Sequence, residues 1–156
     1  MVTRPVRQPT TVTGTGRPPV PPPSRPTFSG DVHALARALA VPPGEARWRE
    51  RLILRLAPVR RGFAEHVRAT EGPTGLYAEL LGHAPRLDHG VRLLTREHAA
   101  IATALAALQR AAELPGVECE ELCGRAGHLL RALARHRQRG ADLIWQAYQT
   151  DLGGET

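Results

Sequence analysis

Histidines are the residues of this 156-residue chain best suited to bind a metal ion, and three of its seven recur in one pattern. His66, His98 and His136 each stand where apolar residues are otherwise spaced three and four apart, the spacing of one helix face. A neutral imidazole nitrogen is a common transition-metal ligand, and a buried imidazole without partners costs about 1–3 kcal/mol. One histidine on the apolar face of each of three helices therefore predicts a metal site inside a helical bundle.

The apolar faces themselves define the expected core. His89 and His128 lie off these faces, so we do not expect them at the site. The pattern also has an interpretation without metal, in which each imidazole bonds separately to a backbone carbonyl or a carboxylate. The residues that share a face with the three histidines are Leu52, Leu56, Val59, Phe63 and Thr70 for His66; Val91, Leu94, Ile101, Leu105, Leu108 and Ala112 for His98; and Leu122, Ala126, Leu129, Leu133, Gly140, Leu143 and Ala147 for His136.

The elements that must carry these residues are helices, because Ala, Leu, Arg and Glu dominate and strand signals are nearly missing. Asp31 is expected to cap a short N-terminal helix, and Pro58 to kink or break the first long helix. A short apolar stretch lies in the connection before the second long helix. The expected ranges are 31–40 for the short helix, about 44–71, 88–113 and 118–150 for the three long helices, and 76–81 for the apolar stretch.

Helix lengths test whether the histidines can meet. At about 1.5 Å of rise per residue, His98 and His136 lie within about one turn of the same level. His66 lies only about 7 Å from the end of its helix, against about 15 Å for His98 from its own start. Convergence of His66 with the other two is therefore the weaker expectation.

Residues 1–29 predict a disordered tail, since they contain 8 of the 14 prolines, four Arg and no acid. Residues 31–156, the expected helical domain, hold 17 Arg against 15 acids, so they are nearly neutral and favour no specific nucleic-acid partner. Two cysteines exclude a disulfide scaffold, and no apolar run is long enough for a membrane span. The absence of Lys excludes lysine Schiff-base chemistry. A soluble cytoplasmic protein is expected.

Three short motifs contain the histidines and their neighbours. They are His66 followed by Thr70-Glu71-Gly72-Pro73, Glu97-His98 at the start of an apolar face, and Leu133 to His136 with Asp142 beyond. In these motifs, the chain from about residue 45 to 156 resembles the bacterial hemerythrin-like, or HHE cation-binding, domains. The resemblance implies an all-α, hemerythrin-like bundle of three long helices plus a short N-terminal helix, with a non-haem iron site.

The family's ligand pattern is only partly present. It has a lone His on the first helix, followed by HxxxE, HxxxH and HxxxxD; the residues four after the matching histidines here are Thr70, Ala102 and Gly140. Glu71 and Asp142 are the carboxylates that remain near the pattern, five and six residues after their histidines. Because the carboxylates that bridge two irons are missing or misplaced, we expect a single metal ion or a relic site. Iron, another transition metal and no metal at all stay open.

Two functions follow from this pattern. The first is a hemerythrin-like protein that senses or stores non-haem iron, or responds to oxygen or redox state, rather than an enzyme with turnover. The second is a metal-free helical module that binds a protein partner or a second copy of the chain. Metal content separates the two.

Overall fold

The computed structural model describes residues 27–149, so most of the predicted tail and residues 150–156 lie outside the described part. Within 27–149 the chain forms helices and no strand, which confirms the all-α class. The elements are α1 (Phe28–Leu39), α2 (Trp48–Glu71), α3 (Leu76–His83), a 3-10 helix (Pro85–Leu87), α4 (Asp88–Glu113) and α5 (Cys119–Gln149).

The first helix begins earlier than predicted. The Thr27 side chain accepts a hydrogen bond from the Gly30 backbone N–H at 3.1 Å, so Thr27 is the N-cap and the prediction of Asp31 was wrong. Phe28 and Ser29, which fall within the predicted tail, are therefore helical. The Thr27 hydroxyl accepts from one of the first backbone N–H groups of the helix, which have no partner within the helix.

The second helix starts later than expected and is not interrupted at Pro58. Residues 44–47 form turns, and Arg47 adopts a left-handed conformation with φ 60° before the helix begins at Trp48. Helix α2 runs unbroken through Pro58, so the predicted break is not found. Pro58 has no N–H to donate to the carbonyl of Leu54. Because Leu54 is 70% exposed, water can donate to this carbonyl instead. The end at Glu71 and both ends of α4 agree with the sequence.

Four helices lie side by side, α2 against α1 and α4, and α5 against α4 and α1. Helix α3 packs against α2 and α5 at one end of this bundle. Every apolar or small residue predicted for the three apolar faces is buried except Gly140, which is partly buried. Of the three histidines, His98 and His136 are buried and His66 is partly buried. No helix between residues 27 and 149 combines the length and apolar character needed to cross a bilayer.

The buried residues form two hydrophobic clusters rather than one. The larger cluster joins α1, α2, α4 and α5, and Cys119 and Cys123 pack against it as free, partly buried thiols. The smaller cluster joins α3 to the start of α4 and the end of α5. His98 follows Leu94 of the smaller cluster and precedes Ile101 of the larger one. The histidines thus lie at the boundary between the two clusters.

Candidate metal centre

Three helices bring one histidine each to the same point. The Nε2 atom of His66 on α2 lies 3.2 Å from Nε2 of His98 on α4 and 3.3 Å from Nε2 of His136 on α5. One ligand atom from each residue falls within 4.8 Å of the others. His98 and His136 are 2% and 6% exposed. The structure therefore brings together the three histidines that the sequence singled out.

The spacing of the three nitrogens suits a common metal ion. Metal–nitrogen bonds of about 2.0–2.1 Å in a tetrahedral site separate neighbouring ligand nitrogens by about 3.3–3.4 Å. The two separations that involve Nε2 of His66 are close to this value. Little rearrangement of the helices would be needed for the three imidazoles to share one ion.

Two carboxylates orient the rings from behind. Nδ1 of His98 donates to Oε1 of Glu71 at 2.6 Å, and Nδ1 of His136 donates to Oε2 of Glu97 at 2.8 Å. Arg139 in turn forms an ion pair with Glu97. Carboxylates that accept from the far nitrogen of a ligating imidazole fix its tautomer and raise its basicity.

This arrangement determines where the lone pairs point. In a neutral imidazole only one nitrogen carries a proton, so donation from Nδ1 leaves Nε2 of His98 and of His136 as acceptors. Nε2 of His66 has room for one proton, which can be donated to only one of them at a time. Two nitrogen lone pairs thus converge with a third ring nitrogen, a donor set that matches a cation.

Aromatic rings surround the cluster. Phe63 lies against all three imidazoles, with its ring edge-on to His98 at a centroid distance of 5.8 Å. Tyr77 stacks on His98 with an interplanar angle of 9°, and its hydroxyl lies 3.3 Å from His98 Nε2. Without a metal, the Tyr77 hydroxyl can donate to this nitrogen.

Burial makes protonation of the histidines unfavourable. Desolvation, together with the neighbouring His98 and His136, lowers the pKa of His66 from 6.5 to about 4. Desolvation also lowers the pKa of His98, against the opposing effect of its hydrogen bond with Glu71, and lowers the pKa of His136. Burial raises the pKa of Tyr77 to about 12, so its hydroxyl keeps its proton near neutral pH. The metal-free cluster is accordingly a set of neutral imidazoles, the form that binds metal ions.

The two predicted carboxylates have different positions. Glu71 contacts the back of His98, where it orients the ring and does not face the other two imidazoles. Asp142 is exposed and accepts a hydrogen bond from Gln138 at 2.9 Å, and it is not among the residues grouped with the three histidines. The direct ligand set that the structure brings together is therefore narrower than the predicted one.

Two residues of the centre were missed from the sequence. Glu97 is adjacent to His98 but serves His136 on the neighbouring helix, a pairing that only helix packing reveals. Its position at the border of the apolar face was the one available signal. Tyr77 belongs to α3, for which the sequence offered no periodic pattern.

A cavity of about 450 Å³ adjoins the centre between α1, α3 and α5, and His66, Tyr77 and His136 line it. Its other walls are mainly apolar. Comparison with models of known protein families, with curated proteins and with solved structures finds no match to this chain. The interpretation of the centre therefore depends on its own geometry.

Proposed function

We propose that this protein is a hemerythrin-like helical bundle that binds one transition metal ion through Nε2 of His66, His98 and His136. The observation that carries the proposal is the orientation of the three rings. Glu71 and Glu97 hold the protons of His98 and His136 on Nδ1, so that both free Nε2 lone pairs converge beside His66 Nε2. Separations of 3.2 and 3.3 Å are those of ligands to a shared ion.

The donor set favours one ion over two. Glu71 and Glu97 are occupied behind the rings, and Thr70, Ala102 and Gly140 provide no carboxylate at the family's further ligand positions. Imidazole ligands suit iron, zinc, copper and nickel, and the family resemblance favours non-haem iron. Three protein ligands leave at least one coordination position for an exogenous molecule.

An open position on a redox-active ion supports sensing or storage in preference to turnover. When bound, a ferrous ion supplies a centre whose oxidation state and exogenous ligand change with the surroundings. The chain's own residues would bind the ion, Glu71 and Glu97 would hold the protons of His98 and His136 on their outer nitrogens, and the Phe63 ring would cover the inner side of the cluster. The Tyr77 hydroxyl, which lies 3.3 Å from Nε2 of His98, would be close enough to the ion to donate a hydrogen bond to an exogenous ligand.

Metal analysis of the purified protein tests the proposal. The chain should be produced without a polyhistidine tag, and its iron, zinc, manganese, cobalt, nickel and copper contents measured after gel filtration. Near one ion per chain is expected, in wild type and in a His128→Leu variant alike. Only a trace of metal, even after incubation with ferrous, zinc or cobalt salts, would contradict the proposal.

The metal-free interaction module is the second candidate, and one observation favours it. The Tyr77 hydroxyl can donate to His98, and His66 Nε2 can donate to His136, so that hydrogen bonds alone satisfy both acceptors. In this case the cluster is a polar layer between the two hydrophobic clusters. Trace metal content together with full stability in a chelator would support it.

A further inference from the structure

The cavity beside the histidines has the size and lining of a small-molecule site. Its volume of about 450 Å³ falls within the range of about 300–1,000 Å³ that ligand pockets commonly have. The apolar part of its wall comes from α1, α3, α4 and α5, so it is a feature of the assembled bundle. The main apolar residues of the wall are Val32, Leu76, Leu80, Leu94, Leu143 and Ile144.

The polar lining of this cavity is selective in charge. Among the described residues that line it there is no Asp or Glu, whereas His66, His136, Arg137 and His33 all contribute to the wall. Arg137 is exposed, and no carboxylate between residues 27 and 149 pairs with it. Arg137 is the one permanently charged side chain among the described lining residues, and with no acid beside it in this lining it favours an anion over a cation.

Gly140 keeps part of this space free. A Cβ atom at Gly140 would meet no atom within 4 Å, and the residue lines the cavity one helical turn beyond His136. Because Gly140 lines the cavity and has open space at its Cβ position, we expect a larger side chain there to occupy part of the cavity. The same absence of contacts holds for Gly124, which lies earlier on α5 and does not line the cavity.

We propose that this cavity binds an apolar monocarboxylate, with its carboxylate beside His66 and His136 and its hydrocarbon part along the apolar residues of the wall. The inference rests on the proposed metal site, because three neutral imidazoles leave a divalent ion positively charged and open to an anionic oxygen ligand. The apolar wall favours a hydrocarbon body, and Arg137 together with the bound ion favours a negative head. The occupancy of the open position is then controlled by an amphipathic anion rather than by water alone.

Cobalt(II) provides a probe, since its visible absorption spectrum changes when a ligand enters its coordination sphere. The full chain should be loaded with cobalt and titrated with octanoate, acetate and 1-octanol, and binding followed by absorption and by calorimetry. We expect octanoate to change the spectrum at saturation and to bind at least about tenfold more tightly than acetate, because each buried methylene strengthens binding about fourfold. Octanol should leave the cobalt spectrum unchanged.

Gly140→Leu and Gly124→Leu form a matched pair on the same helix, and both replace glycine with a better helix former. Gly140→Leu should retain cobalt, but its affinity for octanoate should fall by about tenfold or more, because the leucine side chain takes up pocket volume. The octanoate affinity of Gly124→Leu should stay within about twofold of that of the wild type. These results with the octanoate preference would support the proposal.

The outcomes separate this inference from the proposed function. Failure to bind cobalt would overturn both. If the chain binds one cobalt ion but octanoate binds no more tightly than acetate, or octanol binds as tightly as octanoate, the carboxylate site is overturned. The proposed metal site is not affected by either result. Equal octanoate affinities of the two glycine variants would overturn the assignment of the ligand to this cavity.

Discussion

Nδ1 of His136 on α5 donates a hydrogen bond to Oε2 of Glu97 on α4 at 2.8 Å, across the interface of two helices. His98 follows Glu97 directly in the sequence, but Nδ1 of His98 donates to Glu71 on α2 and not to Glu97. Each carboxylate thus serves an imidazole on a different helix. The cross-linked pattern aligns two ring nitrogens toward the same point, and the predictions below depend on it.

His98→Leu should remove the metal ion. Leucine preserves much of the volume beside Leu94 and Ile101 while deleting both ring nitrogens, and water can reach the Glu71 side chain, which is 32% exposed. Metal content should fall, and with it the metal-linked part of the free energy of unfolding, about 2.7 kcal/mol at a hundredfold excess over Kd.

The control for this change is His128→Leu, at an exposed position on α5 whose Nδ1 contacts Arg131. Elemental analysis and thermal unfolding with and without metal provide the measurements. Identical metal content and melting temperature in the two variants would refute the assignment of His98 as a ligand. In a metal-free module, His98→Leu should instead hold or raise stability, since an apolar side chain replaces a buried polar one.

Glu97→Gln should weaken metal binding without unfolding the protein. The amide is close in shape to the carboxylate but lacks its charge, so His136 becomes a poorer donor to the ion. Loss of such an outer partner commonly costs about 10–100-fold in metal affinity. Competition with a chromophoric chelator measures the change. Glu113→Gln on the same helix, where Glu113 accepts only an exposed hydrogen bond from Gln109, should leave the affinity unaltered; a similar loss in both variants would point to a general charge effect.

Acid should destabilise the metal-free protein. The pKa of His66 is lowered from its unperturbed value of 6.5 to about 4 in the folded state. The pKa values of His98 and His136 are lowered as well. Between these pH values the unfolded chain binds more protons than the folded one, so the free energy of unfolding decreases as pH falls. The contribution is complete above about pH 6.5 and is lost progressively toward about pH 4.

Urea unfolding in a chelator at a series of pH values measures this dependence. His66→Leu should make the profile shallower, because it removes the histidine whose pKa is lowered to about 4 in the folded state. A wild-type profile that is flat through this interval would show that the imidazoles are solvated when folded.

Tyr77→Phe separates the two functions by its dependence on metal. Without metal, His98 Nε2 loses the hydroxyl at 3.3 Å, and an unsatisfied buried acceptor costs about 1–3 kcal/mol. With metal bound, the same lone pair is occupied by the ion, so the substitution should cost little. Thermal unfolding of both proteins, with and without added metal, gives the comparison. An equal cost under both conditions would argue against occupancy of this nitrogen by a metal ion.

Two truncations test where the folded part begins. Removal of residues 1–26, which are rich in proline and poor in large apolar residues, should lower the melting temperature by no more than about 2 °C. Removal of residues 1–29 also deletes the Thr27 cap and Phe28, whose ring lies 6.1 Å from that of Phe63. Loss of the cap alone costs about 1 kcal/mol, which corresponds to a shift of about 4 °C or more. Circular dichroism melts would contradict the boundary if both truncations behaved alike.

The sequence by itself determined the all-α class, both ends of α4 and the residues of the three buried faces, because local spacing of apolar side chains specifies which side of a helix is buried. It also singled out His66, His98 and His136, since a polar residue on such a face is conspicuous. Local signals were weaker at helix starts, where Thr27 and Trp48 replaced the expected residues.

Only the tertiary structure decided which groups meet. Glu97 and Tyr77 contact histidines of other elements, and Asp142, near the family pattern in sequence, lies on the exposed surface of α5. Helical periodicity gives each residue a direction around its own axis, but the rotation and axial shift of one helix against another depend on how all side chains pack together. The convergence of three nitrogens, and the cavity beside them, are therefore properties of the assembled bundle.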